Sequence, residues 1–303
     1  MEKYHVGALL IHLLEQTGMA KKDLVEGIMD VSNFWKIESG FVTPSKENLE
    51  LMLQRLGVNP HSLSTFFLNS EDTEIQKLKD SVETCLVRRN VEEANKFIAK
   101  LASNKKFMKD SANRQFVLSA KASNAANANA DPNVIIEMLQ DAIFETLLNF
   151  NEDKIEKYLL TKTEFAAIQL LALQYFYIGQ KERSVSMLYA LKKNVEDNCI
   201  DKIERGKRYP YVILNLTNHL CSMEKYDEVI NLCNQGIEVC LDTGYLSRMP
   251  GIVYNKACSF IETDEKEAGA ELLRDAYYSA RLFMRHNEAK IIKNYAQEHD
   301  IVF

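Results

Sequence analysis

The stretch 28–45, IMDVSNFWKIESGFVTPS, gathers Ser32, Asn33 and Lys36 around the chain's only tryptophan, Trp35. Hydroxyl, carboxamide and ammonium groups on one short helix are the types that meet base edges and phosphates. A plain helical corner carries such residues too, so the stretch alone decides nothing. Catalytic patterns do not occur: there is no Gly-rich phosphate loop, no HExxH, no GxSxG and no kinase motif set. The six histidines (5, 12, 61, 219, 286 and 299) are scattered, and His219 near Cys221 reads as a packed helix residue. The cysteines at 85, 199, 221, 233, 240 and 258 form no CxxC pair and no Cys/His zinc spacing. Cys233 and Cys240, seven apart, share a helical face and read as small buried side chains in a reducing compartment. Carboxylates sit in runs such as TDEKEAGAE, which read as solvated helix faces. The expectation is a protein that is not an enzyme and uses no metal or other cofactor.

The elements that must position these residues are helical. The 303 residues suffice for two or more domains at roughly 100–200 residues each. Hydrophobic residues make up 46% and charged residues 26%, an ordinary balance for a globular protein, and only 11 Gly and 5 Pro interrupt it. No apolar run reaches the roughly 18–20 residues that a membrane helix needs. The opening MEKYHVGALLIHLLEQTG lacks the basic start and small-residue cleavage site of a signal peptide, so a cytoplasmic protein without membrane partners is expected. A net charge of −6 argues against non-specific polyanion binding by the whole chain but leaves room for a local DNA-reading face.

Val6, Leu9, Leu10, Leu13 and Leu14 have helical spacing, and Gly18 stops that helix. A second short helix turns Leu24, Val25 and Ile28 inward, and the stretch containing Trp35 makes a third. Ser45 is placed to cap a fourth, which buries Leu49, Met52, Leu53 and Leu56. Asn59-Pro60 can start a fifth carrying Leu63, Phe66 and Phe67. The polar LNSEDTE at 68–74 marks the boundary between a domain at 1–69 and a second at 70–303.

Beyond it helix follows helix. The Ala/Asn-rich end of SANRQFVLSAKASNAANANA is expected to fray into a loop before Asp131-Pro132. Three segments, starting at Leu170, Leu214 and Val253, each read as apolar helix, polar turn and second helix. A small or branched residue enters the second helix at Val185, Val229 and Ala268, and Ala94 has the same character. Such pairs cannot bury their apolar faces alone, so they stack into a tetratricopeptide-like (TPR-like) solenoid with a concave surface. The fold expected is all-α throughout.

The N-terminal pattern resembles the Cro/XRE-type helix-turn-helix. It runs from Gly18-Met-Ala-Lys-Lys-Asp-Leu through Val31-Ser-Asn-Phe-Trp-Lys-Ile-Glu-Ser-Gly40 and Thr43-Pro-Ser to Leu56-Gly-Val, and the match spans about residues 5–68. The resemblance implies that the second helix of the pair enters the major groove. Phe34 and Ile37 then plug the core, while Ser32 and Asn33 reach base edges and Lys36 a phosphate. Lys21, Lys22, Trp35 and Ser45 join the DNA-facing set, Ser45 through its hydroxyl and the free N–H groups of its helix. Glu38 is expected to pair within the domain. Departures are visible: Ala20-Lys21 replaces the usual Ser-Gln, and an indole stands where a small polar residue is usual. Residues 1–70 hold six Lys/Arg against eight Asp/Glu, a net of −2 where a DNA-binding head is usually basic.

A Cro-like head joined to degenerate helical repeats resembles the peptide-pheromone-responsive regulators of the Rgg/PlcR/PrgX group. The resemblance implies a cytoplasmic homodimer, with a tetramer as a further state. It implies two other partners, a double-stranded DNA operator and a short signalling peptide whose binding alters oligomeric state or DNA occupancy. For an extended peptide backbone the carboxamides of Gln174, Asn215, Asn218 and Asn255 are the candidates, with Tyr175, Tyr211 and Tyr254 lining the same groove. Gln174 and Asn218 stand eleven residues before their repeat markers, and Asn255 stands 13 before Ala268 where Asn215 stands 14 before Val229. The alternative is a TPR-like protein-interaction module whose head no longer binds DNA.

Overall fold

A computed structural model describes residues 6–57, 70–199 and 201–302, with the side chains of residues 46 and 70–73 outside the description. The fifth helix expected near Asn59-Pro60 lies outside the described residues. The chain divides into two compact units, 1–79 and 80–303, the division falling later than the boundary expected at 68–74. Among the described residues all regular structure is helical.

The head contains α1 (Val6–Thr17), α2 (Lys21–Val25), α3 (Val31–Glu38) and α4 (Lys46–Arg55). Its core is apolar: Leu9, Leu10, Leu13 and Leu14 from α1 meet Leu24, Val25, Phe34, Ile37, Met52, Leu53 and Leu56. The spacing that makes each helix amphipathic thus also fixes which face turns inward. Gly18 ends α1 with φ +66, a left-handed turn that glycine adopts at least cost. Gly7 has a different role. A Cβ there would stand 1.9 Å from the Ile37 carbonyl oxygen, so α1 and the end of α3 meet backbone to backbone. Ser45 caps α4 by accepting the Asn48 N–H at 3.2 Å.

From α5 (Ser70–Val87), whose residues from 80 on belong to the second unit, the chain is a succession of helix pairs: α5 with α6 (Val91–Ser103), α7 (Ser111–Asn127) with α8 (Pro132–Phe144), and α9 (Lys162–Tyr177) with α10 (Lys181–Asn198). Then come α11 (Lys202–Cys221) with α12 (Tyr226–Thr243), α13 (Met249–Glu262) with α14 (Lys266–Leu282), and α15 (His286–Glu298). The first helices of successive pairs pack on one another, α7 on α9, α9 on α11 and α11 on α13. That arrangement puts them on the inner side of the array.

The turns inside the pairs are of one kind. Arg89, Asn129, Gly179, Glu224 and Asp264 each adopt positive φ, and Met284 does so between α14 and α15. The amide of the following residue returns to the carbonyl five residues back, as in Asn90 to Cys85, Gln180 to Tyr175 and Lys225 to Leu220. This is a Schellman closure, which satisfies the last carbonyls of the first helix.

Two expectations need correction. The Ala/Asn-rich patch is helical to Asn127, because its asparagines are interhelical ties. Asn124 donates to the Val91 carbonyl at 3.0 Å and to Asn95 Oδ1 at 2.9 Å, and Asn127 donates to the Leu86 carbonyl at 2.9 Å. The repeat marker in the last full pair is Gly269, not Ala268. Ala268 is exposed, whereas Gly269 is buried where a Cβ would stand 2.6 Å from Ile261 Cγ1. Counted from Gly269, Asn255 is 14 residues ahead, the same offset as Asn215 from Val229.

Candidate nucleic-acid face and ligand groove

Phe34 is fully buried and Ile37 nearly so, which fixes the rotation of α3. Ser32, Asn33, Trp35 and Lys36 are therefore exposed together. Lys36 Nζ lies 3.4 Å from Asn33 Oδ1, one turn back on the helix. The chain after α3 folds back on it, with the Phe41 and Val42 amides both donating to the Lys36 carbonyl. That return sets the Phe41 ring 6.2 Å from the Trp35 ring, and both rings are largely solvent-exposed. The Ser45 hydroxyl accepts from Asn48 and keeps its own hydrogen for an acceptor.

The head's cations divide by use. Lys21 Nζ pairs with Glu38 at 2.7 Å and 2.8 Å, joining α2 to the end of α3. Arg55 Nη1 donates to the carbonyls of Asp23, Leu24 and Glu26, at 3.0, 2.8 and 2.7 Å, closing the C-terminal end of α2. Nothing local in the sequence marks this role, because its partners lie about thirty positions away. Lys22 and Lys36 are exposed, while Lys3 and the side chain of Lys46 lie outside the described residues.

In the array the proposed ligand residues separate into two groups. Asn255 Nδ2 donates to Asn218 Oδ1 at 2.7 Å and to Thr217 Oγ1 at 2.9 Å, so α13 and α11 are joined through them. Asn215 is buried, and its Nδ2 has no hydrogen-bond partner. Gln169 donates to the Tyr211 carbonyl at 3.2 Å while its buried Oε1 has no partner. An unpartnered donor and an unpartnered acceptor on adjacent inner helices are a costly arrangement that an incoming amide would relieve. Tyr211 is half-buried, with the Arg248 guanidinium 4.5 Å from its ring centroid. Tyr254 is half-buried, edge-on to Tyr295 with ring centroids 5.7 Å apart.

Among the described residues no hydrogen bond ties Gln174 to that cluster, and Tyr175 turns away from it. Both are buried, at 3% and 2% exposure. Tyr175 turns into the core, where its hydroxyl accepts from Arg183 Nη2 at 2.8 Å and Gln140 Nε2 at 3.3 Å and donates to Glu152 at 3.3 Å. It ties α8, α9 and α10 rather than lining a groove. A separate surface cavity of about 410 Å³ opens where α9 begins, α10 ends and α11 begins, lined by Thr161, Asn194, Asn198 and Arg208 among others. None of the expected peptide residues lines it.

His219 is stacked on Phe176, ring centroids 3.8 Å apart, with Nδ1 at 3.1 Å from Ser184 Oγ. Burial lowers its pKa from the ordinary 6.5 to about 4, so it is neutral at pH 7. Burial likewise pushes the Cys240 thiol up to about 11 and Cys258 to about 12, which suppresses their thiolates. Among the described residues no three His, Cys, Asp or Glu side chains cluster to hold a metal ion.

Compared with known proteins, the chain matches no family model and no curated relative in sequence. Solved structures do match. Bacillus thuringiensis PlcR, in complex with the peptide PapR7 and DNA, is similar at 18% identity and a TM-score of 0.64, over 97% of this chain and 98% of that one. The pheromone receptor Rgg2 of Streptococcus dysgalactiae is similar at 13% identity and a TM-score of 0.57, over 97% and 100%. TPR-like repeats of a kinesin light chain from Podosopora anserina match 70% of this chain and 97% of theirs, at 12% identity and a TM-score of 0.50. At such identities the likeness is one of fold. The chain has the architecture of PlcR and Rgg2, an all-α helix-turn-helix head followed by a TPR-like solenoid.

Proposed function

We propose that the chain is a cytoplasmic DNA-binding transcription regulator of the Rgg/PlcR/PrgX kind. Residues 1–69 hold a DNA operator, and residues 70–303 bind a short signalling peptide and form the homodimer. Peptide binding changes oligomeric state or DNA occupancy. The observation that carries the reading is the division of α3: Phe34 and Ile37 are locked inside while Ser32, Asn33 and Lys36 face out. It is supported by the buried unpartnered amide atoms of Asn215 and Gln169 on the inner helices, and by the fold shared with a regulator solved with both peptide and DNA.

The test is a titration of the full chain with its own promoter DNA at rising salt, followed by Trp35 emission. Affinity falls steeply with salt, and Lys36→Ala reduces the log–log slope by about one. Trp35, 59% exposed beside the proposed DNA face, changes emission at saturation. DNA binding with unchanged emission would displace α3 from the interface.

A second reading has its own observation. Lys21 and Arg55 are committed inside the head, and Trp35 and Phe41 present an exposed aromatic pair beside α3. A head with few uncommitted cations and an aromatic face suits protein docking. No binding to promoter DNA at low salt selects that reading.

A further inference from the structure

Arg248 is a cation without a counter-charge. It occupies the N-cap position of α13, where the helix's own unpaired N–H groups already present positive potential. The first turn of α13 holds no acidic residue and no side chain caps it. Among the described residues no carboxylate lies within ion-pair distance of the Arg248 guanidinium, and no acceptor receives a hydrogen bond from it. Its one specific contact is the Tyr211 ring, 4.5 Å from centroid to guanidinium carbon. Burial holds its pKa below the usual arginine range, and the neighbouring charge of Arg285 lowers it further. Glu288 is the carboxylate that acts on Arg248, but it is ion-paired to Arg285. Glu288 Oε2 is buried without a partner, and the three groups together sum to one positive charge.

The position of this excess charge matters. Tyr211, Asn215 and Asn218 recur at intervals of four and three on one face of α11, and Arg248 and Asn255 are seven apart on one face of α13. The two faces meet at Tyr211–Arg248 and again at Asn218–Asn255. Between them Asn215, 8% exposed, offers an Nδ2 donor with no partner. The row therefore presents a cation on an aromatic platform, then an orphan donor, then a joined carboxamide pair. Desolvating a guanidinium without a counter-ion is costly, and a planar carboxylate is the group its fork of N–H donors fits.

We infer that Arg248 and Tyr211 form a carboxylate-binding subsite at one end of the groove, so that the peptide is acidic where it meets them. The carboxylate is an Asp or Glu side chain or the peptide's own C-terminus. This rests on the reading of the array as a peptide receptor.

The experiment is affinity selection by the full-length protein from a synthetic pool of randomised heptapeptides, made once with free C-terminal carboxylates and once as C-terminal amides. A side-chain source gives retained peptides with Asp or Glu at one fixed position in both pools. A C-terminal source gives retention from the free-acid pool alone. In either case Arg248→Gln reduces retention about tenfold or more and erases the preference. The ligand-free melting temperature of Arg248→Gln stays the same or rises, because an uncompensated charge has been removed. Retained peptides that show no acidic preference and tolerate amidation overturn the subsite while leaving peptide binding intact. Unchanged selection by Arg248→Gln, with a lowered melting temperature, makes the pair a structural brace and also overturns it. A wild-type protein that retains no peptide from either pool overturns both readings.

Discussion

The head and the array bury different things. Among the described residues the head's interior holds only apolar side chains, and its polar groups lie on the surface or at helix ends. The array buries Gln115, Asn124, Gln169, Asn194, Asn215 and Asn255 among its helices, together with His219 and Glu164. A small domain with four described helices gains most from a dry core, because every buried polar group needs a partner it has little room to supply. Stacked helix pairs have long seams, where a carboxamide on one helix reaches a backbone or side chain on the next. The difference separates what each unit leaves open. The head displays residues on the outside of a rigid plug, and the array leaves a few seam positions incomplete.

Breaking the head's plug has the largest expected effect. Phe34→Ala removes the largest side chain of a fully dry core and costs about 3–5 kcal/mol. In a thermal melt of the full chain the head's transition is lost while that of the array persists. A single unchanged transition would show that the two units do not unfold as separate cores.

The array's sensitivity is to protons. His219 has a folded pKa of about 4 against an ordinary 6.5, the shift coming from burial alone. The unfolded chain therefore takes up the proton first as pH falls. The stability associated with a neutral His219 is complete above about pH 6.5, declines between 6.5 and 4, and has gone below 4, a total of about 3 kcal/mol. Urea midpoints measured across that window fall for the wild type, and His219→Gln flattens the fall. An equal slope in both proteins removes His219 as the cause.

The smallest contrast lies within the carboxamide row. Asn255→Ala removes two interhelical hydrogen bonds, to Asn218 and Thr217, and lowers stability by about 1–3 kcal/mol in chemical denaturation. Asn215→Ala removes a group whose Nδ2 bonds nothing, so stability changes little while peptide affinity, read by calorimetry, drops. The reverse ranking would make Asn215 the structural member and Asn255 the ligand contact.

How much of this was legible in the residues depends on the distance over which each signal acts. Apolar spacing within one helix placed Leu9, Leu10, Phe34, Ile37, Met52 and Leu53 inside, because periodicity alone selects the face. Gly18 and Ser45 marked helix ends by local chemistry. Glu38 pairs within the head as its position in the motif implies, and its partner is Lys21, a residue of the expected DNA-facing set. Misreadings came from residues that act across helices. Asn124 and Asn127 resemble turn formers until Val91 and Leu86 supply partners some thirty to forty positions away. Tyr175 follows Gln174 in sequence, yet a half-apolar ring gives no sign that Arg183 and Glu152 will hold its hydroxyl inside. Gly269 carries no side chain to register as a repeat marker, and only the close approach of α13 distinguishes it from Ala268 beside it.

The recurrent left-handed turn has a further consequence. The joint is a backbone closure, and only Gly179 among its six positions is a glycine, so it does not depend on any one side chain at its apex. Helix pairs closed by a common joint are alike in form, and stacked they make a lattice in one dimension, in which whole pairs can be gained or lost while the remainder keeps its register. Copy number changes the length of the inner face, and single replacements along the inner rows change its chemistry. The geometry of the joint separates these two routes of divergence, leaving each free to proceed without disturbing the other.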